Sequence, residues 1–129
     1  MTVFKGSPLG ELARIRNVTT RRVSSWDRSG GHMDFLVVQP GQQVSLADIE
    51  GAGCINHIWC THACDQPDYL RRAVLRARWD GEADYSIDVP LGDFFGVGHA
   101  KTVSFSSLPL QMSPADGRAF NCWFPMPFG

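Results

Sequence analysis

The stretch from Trp79 to Gly96 constrains the fold of this chain more than any other. Asp80-Gly81 is a dipeptide that turns one strand back on the next through two residues of positive φ. Before it, Leu75, Ala77 and Trp79 alternate with Arg76 and Arg78. After it, Tyr85, Ile87 and Val89 alternate with Ser86 and Asp88. A period of two on both sides of such a turn predicts a hairpin of Leu75–Trp79 against Tyr85–Val89, with Glu82 and Asp84 near the connection. Pro90 and Gly92 end the second strand, and Asp93-Phe94-Phe95-Gly96 then sets a carboxylate beside two aromatic rings at a bend. Sugar-contacting loops are built this way, and so are ordinary turns over a core.

The remainder of the chain reads as further short strands. Phe35–Val38 and the Val44/Leu46 alternation predict two of them, joined through Pro40-Gly41. Cys54 to Cys64 reads as one strand, with Ile55, His57, Trp59 and Thr61 on one face and Cys54, Asn56, Ile58, Cys60, His62 and Cys64 on the other. Leu70–Trp79, a strand around Val103 and Phe105, and Ala119–Phe124 follow, the last with Phe120, Cys122 and Phe124 sharing a face. Residues 1–20 read as a lead-in arm, with a turn at Pro8-Leu9-Gly10 and a short helical or extended piece from Glu11 to Arg16. Residues 21–129 read as the body. Thirteen glycines and eight prolines among 129 residues, with no long amphipathic helical period, favour an all-β domain.

Charge and composition exclude several functions. A net charge of −1 gives no electrostatic footprint for a polyanion, so nucleic acid is not expected as a partner. No apolar run approaches the roughly 18 residues of a membrane span, and Met1 to Arg16 lacks the apolar centre of a signal peptide. A cytoplasmic location is the expectation. Asn17-Val18-Thr19 matches a glycosylation sequon that such a location would leave unused. Four cysteines, three of them within Cys54–Cys64, do not make a disulfide framework.

The polar stretch Arg21–Asp34 has two readings. As a binding loop it offers the ring of Trp26 and the polar groups of Asp27, Arg28, His32 and Asp34. As a plain hairpin end it would tuck Trp26 into the core. Cys60, His62 and Cys64 share a predicted face and raise a zinc site as one alternative, small buried hydrophobes being the other. Glu82 and Asp84 sit at a spacing that would suit a glycosidase carboxylate pair, although acids beside a turn are ordinarily just solvated.

Five segments in order carry a family resemblance. They are Ser24–Gly31; Gly51–Gly53 with Ile55-Asn56-His57-Ile58-Trp59; Leu75–Glu82; Val89–Gly96; and Asn121-Cys122-Trp123-Phe124-Pro125-Met126-Pro127-Phe128. Together they resemble glycoside hydrolase family 172, over nearly the whole chain from about Pro8 onward. The resemblance implies a jelly-roll β-sandwich, with two such units in a full-length subunit of several hundred residues. It implies retaining action on fructofuranosides or arabinofuranosides without a cofactor. It also implies homo-oligomers, trimers or hexamers, with active sites near subunit contacts. The chain resembles only the N-terminal part of the family, whose two catalytic glutamates lie beyond the Pro-Met-Pro-Phe segment. None of Glu11, Glu50 or Glu82 matches them. Cys54, Cys60, Cys64 and His32 depart from the family pattern.

The expectation is therefore an N-terminal, truncated jelly-roll part of a furanoside-acting glycoside hydrolase that positions substrate and lacks the catalytic pair. Its candidate substrate-binding residues are Trp26, Asp27, Arg28, Asp34, His57, Trp59, Asp93, Phe94 and Phe95, with no metal ligand among them. A non-catalytic carbohydrate-binding or assembly module is the alternative. Either way, apolar surface should be exposed where further parts would pack.

Overall fold

The computed structural model describes Gly10 to Gly129, except for the side chains of Glu11 and Ala13. The Pro8-Leu9 part of the predicted turn lies outside the described residues. The chain divides into two units, Met1–Ile49 and Glu50–Gly129.

In the first unit, Gly10–Ala13 forms one 3-10 turn, and no helix or strand follows before Gly53. The strands expected at Phe35–Val38 and Val44–Leu46 are absent. The apolar signal is present, but a strand exists only as part of a hydrogen-bonded ladder, and among the described residues nothing pairs with these segments. As a result Phe35, Leu36, Val37 and Val38 are 54, 53, 63 and 50% exposed, an apolar row open on both sides. The order in this unit is local and lies in the loop around Asp27 and in the turn Gln39–Gln42.

The second unit is antiparallel β throughout, with two helices of a single turn. Its strands are β1 (Gly53–Ile55), β2 (Ile58–Thr61), β3 (Val74–Ala77), β4 (Ile87–Pro90), β5 (Phe105–Ser106), β6 (Leu110–Ser113), β7 (Ala119–Cys122) and β8 (Met126–Phe128). They form a four-stranded sheet in the order β2-β7-β6-β5 and the two-stranded pairs β1-β8 and β3-β4. The all-β antiparallel class expected from the turn-rich sequence is the one observed.

The predicted hairpin forms as β3 against β4, with Leu75 opposite Val89 and Ala77 opposite Ile87. Asp80 and Gly81 take φ of 50° and 76°, and the Glu82 amide donates to the Trp79 carbonyl at 2.8 Å, closing the tight turn. The strand begins at Ile87 rather than Tyr85. The ladder ends at the Ala77–Ile87 pair, and Tyr85, in the connection beyond it, meets the guanidinium groups of Arg76 and Arg78, 5.2 and 6.0 Å from its ring centroid.

Other boundaries differ from expectation for physical reasons. Leu70 to Arg72 belong to the helix α1 (Tyr69–Arg72), too short to show a helical period in sequence. Cys54–Cys64 is not one strand: it breaks at Asn56-His57, where β1 leaves one sheet and β2 enters another. Phe124 lies past β7 and is 47% exposed, whereas Phe120 and Cys122 point inward as predicted. The strand around Val103 shrinks to Phe105–Ser106.

The core is one face of the four-stranded sheet and its cover. Alternation turns Ile58 and Cys60 of β2, Phe120 and Cys122 of β7, Leu110 and Met112 of β6, and Phe105 of β5 to this side. Over them lie Leu70 from α1, Leu91 and Phe94 from α2 (Leu91–Phe94), and Phe95 and Val97 just beyond. The two helices meet at Gly92, where a Cβ would sit 2.6 Å from the Val97 carbonyl oxygen and 3.1 Å from Leu70 Cβ. Only glycine permits that approach.

His62, just after β2, is an imidazole packed against this core, beside the phenol ring of Tyr69. It meets Phe120 edge-on at 4.9 Å, and its buried Nδ1 has no hydrogen-bond partner. Burial holds its pKa below the ordinary histidine value, because the cation would lose water and gain nothing. The unfolded chain therefore binds the proton more readily. The stability this contributes is complete above about pH 6.5 and is lost as pH falls through the lower folded-state pKa. Thermal melts should show a lower Tm at about pH 5 than at about pH 7.5, with the difference reduced in His62→Gln. An identical pH dependence in both proteins would remove His62 as the cause.

Candidate functional site

The break between β1 and β2 has a counterpart on the partner segment. Ile55 pairs with Met126, and Ile58 pairs with Cys122. Between those pairs two residues, Asn56 and His57, face three, Trp123, Phe124 and Pro125. One extra residue on one side of a ladder is the arrangement of a β-bulge, which bends the strand and re-aims side chains. Here it brings the His57 and Trp123 rings into a parallel stack, with centroids 4.9 Å apart and planes within 5°. His57 Nε2 lies 3.1 Å from Asn121 Oδ1. The Trp123 amide donates to the Pro109 carbonyl at 2.8 Å, which anchors the stack to the segment before β6.

The face of the sheet away from the core continues from this stack. Trp59 pairs with Asn121, Asn121 with Gln111, and Gln111 with Ser106. The register thus places an indole, two amides and a hydroxyl in one row across β2, β7, β6 and β5. Trp59 is 57% exposed and Trp123 40%, while Asn121 is buried at 7%. A broad apolar ring beside a row of hydrogen-bonding side chains suits a ligand with one apolar face and many hydroxyls.

Asp93 takes a different role from a free polar group at a rim. The Arg71 guanidinium donates to both of its carboxylate oxygens and reaches the Gly98 carbonyl, tying α1 to the turn after α2. With the two side chains 47 and 34% exposed, this pair orients the turn more than it stabilises it. Phe94 is half-buried, and Phe95, 1% exposed, lies in the core against Phe120 at 5.4 Å. The Asp93-Phe94-Phe95 segment therefore presents one carboxylate and part of one ring, while its second ring anchors it.

In the first unit Trp26, Asp27, Arg28 and Asp34 do come together. Asp27 accepts hydrogen bonds from the Ser29 amide at 2.8 Å, the Ser29 hydroxyl at 2.6 Å and the Met33 amide at 3.2 Å. These bonds, that of the Ser29 side chain foremost, hold its pKa below the usual aspartate value. Asp34 Oδ1 accepts from the Asp27 amide at 2.7 Å, and the Asp34 carbonyl accepts from Ser25 Oγ. Both acids organise the loop. What the loop offers outward is Trp26, 57% exposed, with the Arg28 guanidinium 5.9 Å from its ring centroid.

The cysteines form no comparable centre. Cys54 and Cys64 are exposed, Cys122 is buried, and burial, with a smaller effect of Cys122, pushes the Cys60 thiol up to about 12. Cys64 lies beyond β2 and does not join Cys60 and His62 on their inward face. Among the described residues, no three His, Cys, Asp or Glu side chains are placed to hold a metal ion. No helix among them is long and apolar enough to cross a membrane. Glu50 and Glu82 are exposed, Glu82 accepting a hydrogen bond from Ser86 at the hairpin connection.

Asn121, Trp123 and Gln111 are the residues that sequence reasoning left out of the site. The signal for Asn121 was available, since a lone amide at the polar position between Phe120 and Cys122 has no packing purpose. Trp123 lay inside a family segment, but its stack with His57 depends on a bulge that no local pattern announces.

These features define an antiparallel β domain carrying an exposed aromatic and amide surface. A family model described as GH172 domain-like matches residues 31–129, and the chain belongs to glycoside hydrolase family 172. The match takes in Asp34, His57, Trp59 and the Asp93–Phe95 segment, and begins after Trp26, Asp27 and Arg28. Comparison with curated proteins gave no match.

Proposed function

We propose that this chain supplies substrate-positioning surface to a retaining, furanoside-acting glycoside hydrolase, of fructofuranosidase or arabinofuranosidase type. The catalytic carboxylate pair is contributed from outside these residues. Family membership supports the general chemistry, and the carrying observation is the row Trp59–Asn121–Gln111–Ser106 beside the His57–Trp123 stack. A furanose ring has an apolar C–H face that lies on an indole and hydroxyls that both donate and accept. Trp59 supplies the first kind of contact, and Gln111, Ser106 and the His57 edge supply the second. The Trp26–Arg28 pair in the first unit, and Phe94 on the core side of the sheet, are separate candidate contacts and not part of this row. Such groups act through orientation, holding the bond to be cleaved where acids and water reach it, and they transfer no proton themselves. Glu82, fixed to Ser86 at an exposed turn, does not have the enclosed, unlike environments that separate an acid from a nucleophile.

Titrating the 129-residue chain with an aryl arabinofuranoside or a fructofuranoside, read by tryptophan fluorescence, tests this reading. A saturable change in the millimolar range is expected, lost in Trp59→Ala, with no release of the aryl group. Turnover by the chain alone would overturn the placement of the acids, and a flat titration would overturn the positioning role.

An assembly module is the second reading, favoured by the exposed Phe35–Val38 row in the first unit.

A further inference from the structure

We infer that Asn121 is a positioning residue. It fixes the His57 imidazole with Nε2 protonated and Nδ1 bare, so that the His57–Trp123 stack presents a hydrogen-bond acceptor to a ligand hydroxyl. Asn121 Nδ2 faces the carbonyl of Ala119 at 3.5 Å. A carbonyl only accepts, so the amide turns its nitrogen to Ala119 and its oxygen to His57. Asn121 Oδ1, 3.1 Å from His57 Nε2, is likewise only an acceptor, so Nε2 must carry the hydrogen. A neutral imidazole has one N–H, and placing it on Nε2 leaves Nδ1 as a lone pair.

Three features make this arrangement specific. Asn121 is 7% exposed, so water competes little for its oxygen, and losing the partner would leave a buried acceptor unpaired. The Trp123 ring, stacked within 5°, holds the plane of the imidazole. The two-against-three offset of the strands places His57 where the ladder is interrupted, with the ring exposed. Among the described residues Nδ1 has no protein partner. An exposed bare ring nitrogen on an aromatic plate recognises a hydroxyl donor and disfavours a carboxylate or phosphate, whose lone pairs would meet its own. That this hydroxyl belongs to a furanoside rests on the function proposed above.

Long-range proton–nitrogen NMR correlations on the full chain, at a pH where the ring is neutral, test the tautomer directly. The expected spectrum shows Nδ1 as the unprotonated nitrogen and Nε2 as the protonated one. Asn121→Leu should give a mixture of tautomers and weaken furanoside binding in proportion to the fraction of rings that lose the bare Nδ1, about twofold for an even mixture. Asn121→Asp, whose carboxylate accepts from Nε2 in the same way, should keep the tautomer, a rescue that a merely space-filling residue would not give. An Nδ1–H tautomer in the unaltered chain overturns the inference, whether or not any variant folds. Unchanged affinity in a folded Asn121→Leu with mixed tautomers overturns the acceptor role. The expected tautomer without any furanoside binding upholds the assignment of Asn121 and overturns the furanoside reading instead.

Discussion

Phe95→Ala is expected to unfold the Glu50–Gly129 unit under conditions in which Phe94→Ala leaves it folded. Phe95 is 1% exposed, tilts against Phe120 at 5.4 Å and meets Phe94 edge-on at 4.9 Å. Truncating a buried phenylalanine costs about 3–5 kcal/mol, because the transfer energy is lost and the surrounding atoms only partly fill the hole. A unit of about 80 residues holds a total of about 4–12 kcal/mol. This core has six buried hydrophobic residues, with Leu70, Val97, Met112, Phe120 and Cys122 as the others, and has little to redistribute. Phe94 sits at the margin, and its loss should cost about half as much or less. Urea unfolding followed by circular dichroism separates the two variants. A loss for Phe95→Ala below about 1 kcal/mol would mean that the ring is not in the core. The result bears on the site, because only Phe94 can then be changed to probe ligand contact without loss of the fold.

That contrast shows what the sequence could and could not carry. Asp93-Phe94-Phe95 reads as one aromatic signal, and the separation of its two rings into core and margin depends on which face of the turn α1 covers. The Asp80-Gly81 hairpin was legible because both of its determinants are local: a dipeptide that accepts positive φ and a period of two on each side. The inward faces of β2 and β7 were legible for the same reason. Phe35–Val38 carries an equally clear apolar signal and forms no strand, since a ladder needs a second segment and periodicity says nothing about partners. β8 escaped notice because Pro127 stands at its centre. A proline cannot donate to a ladder, and it is tolerated here because β8 pairs on one side only, with β1. The candidate site divides along the same line. Trp26, Trp59 and His57 could be named from residue type and family segment. Arg28 could be named in the same way, whereas Asn121 and Trp123 became visible only through register, the bulge and the stack.

Gly117→Ala should be among the most damaging single-methyl additions in the chain. Gly117 is buried at φ 67°, and a Cβ built on it would lie 2.7, 2.8 and 2.9 Å from the Val103 O, C and N atoms. These are backbone atoms, which cannot rotate away as a side chain would. The left-handed conformation costs an alanine about 1–2 kcal/mol, and overpacking against a fixed neighbour adds about 1–3 kcal/mol. At about 4–8 °C per kcal/mol for a domain of this size, a total of about 2–5 kcal/mol should lower the Tm by roughly 8–40 °C. Gly81→Ala is the matched control: φ is 76°, and nothing lies within 4 Å of the added methyl, so only the conformational cost applies. If both variants melt together, the contact with Val103 contributes nothing. The effect should also reach the site. The Gly117 amide donates to the Pro114 carbonyl at 2.7 Å, closing the turn from β6 into β7 that sets Gln111 opposite Asn121. A variant that relieves the clash by opening this turn would shift Asn121 away from His57 Nε2. The imidazole tautomer should then scramble in Gly117→Ala even at temperatures where the chain remains folded, and should stay fixed in Gly81→Ala.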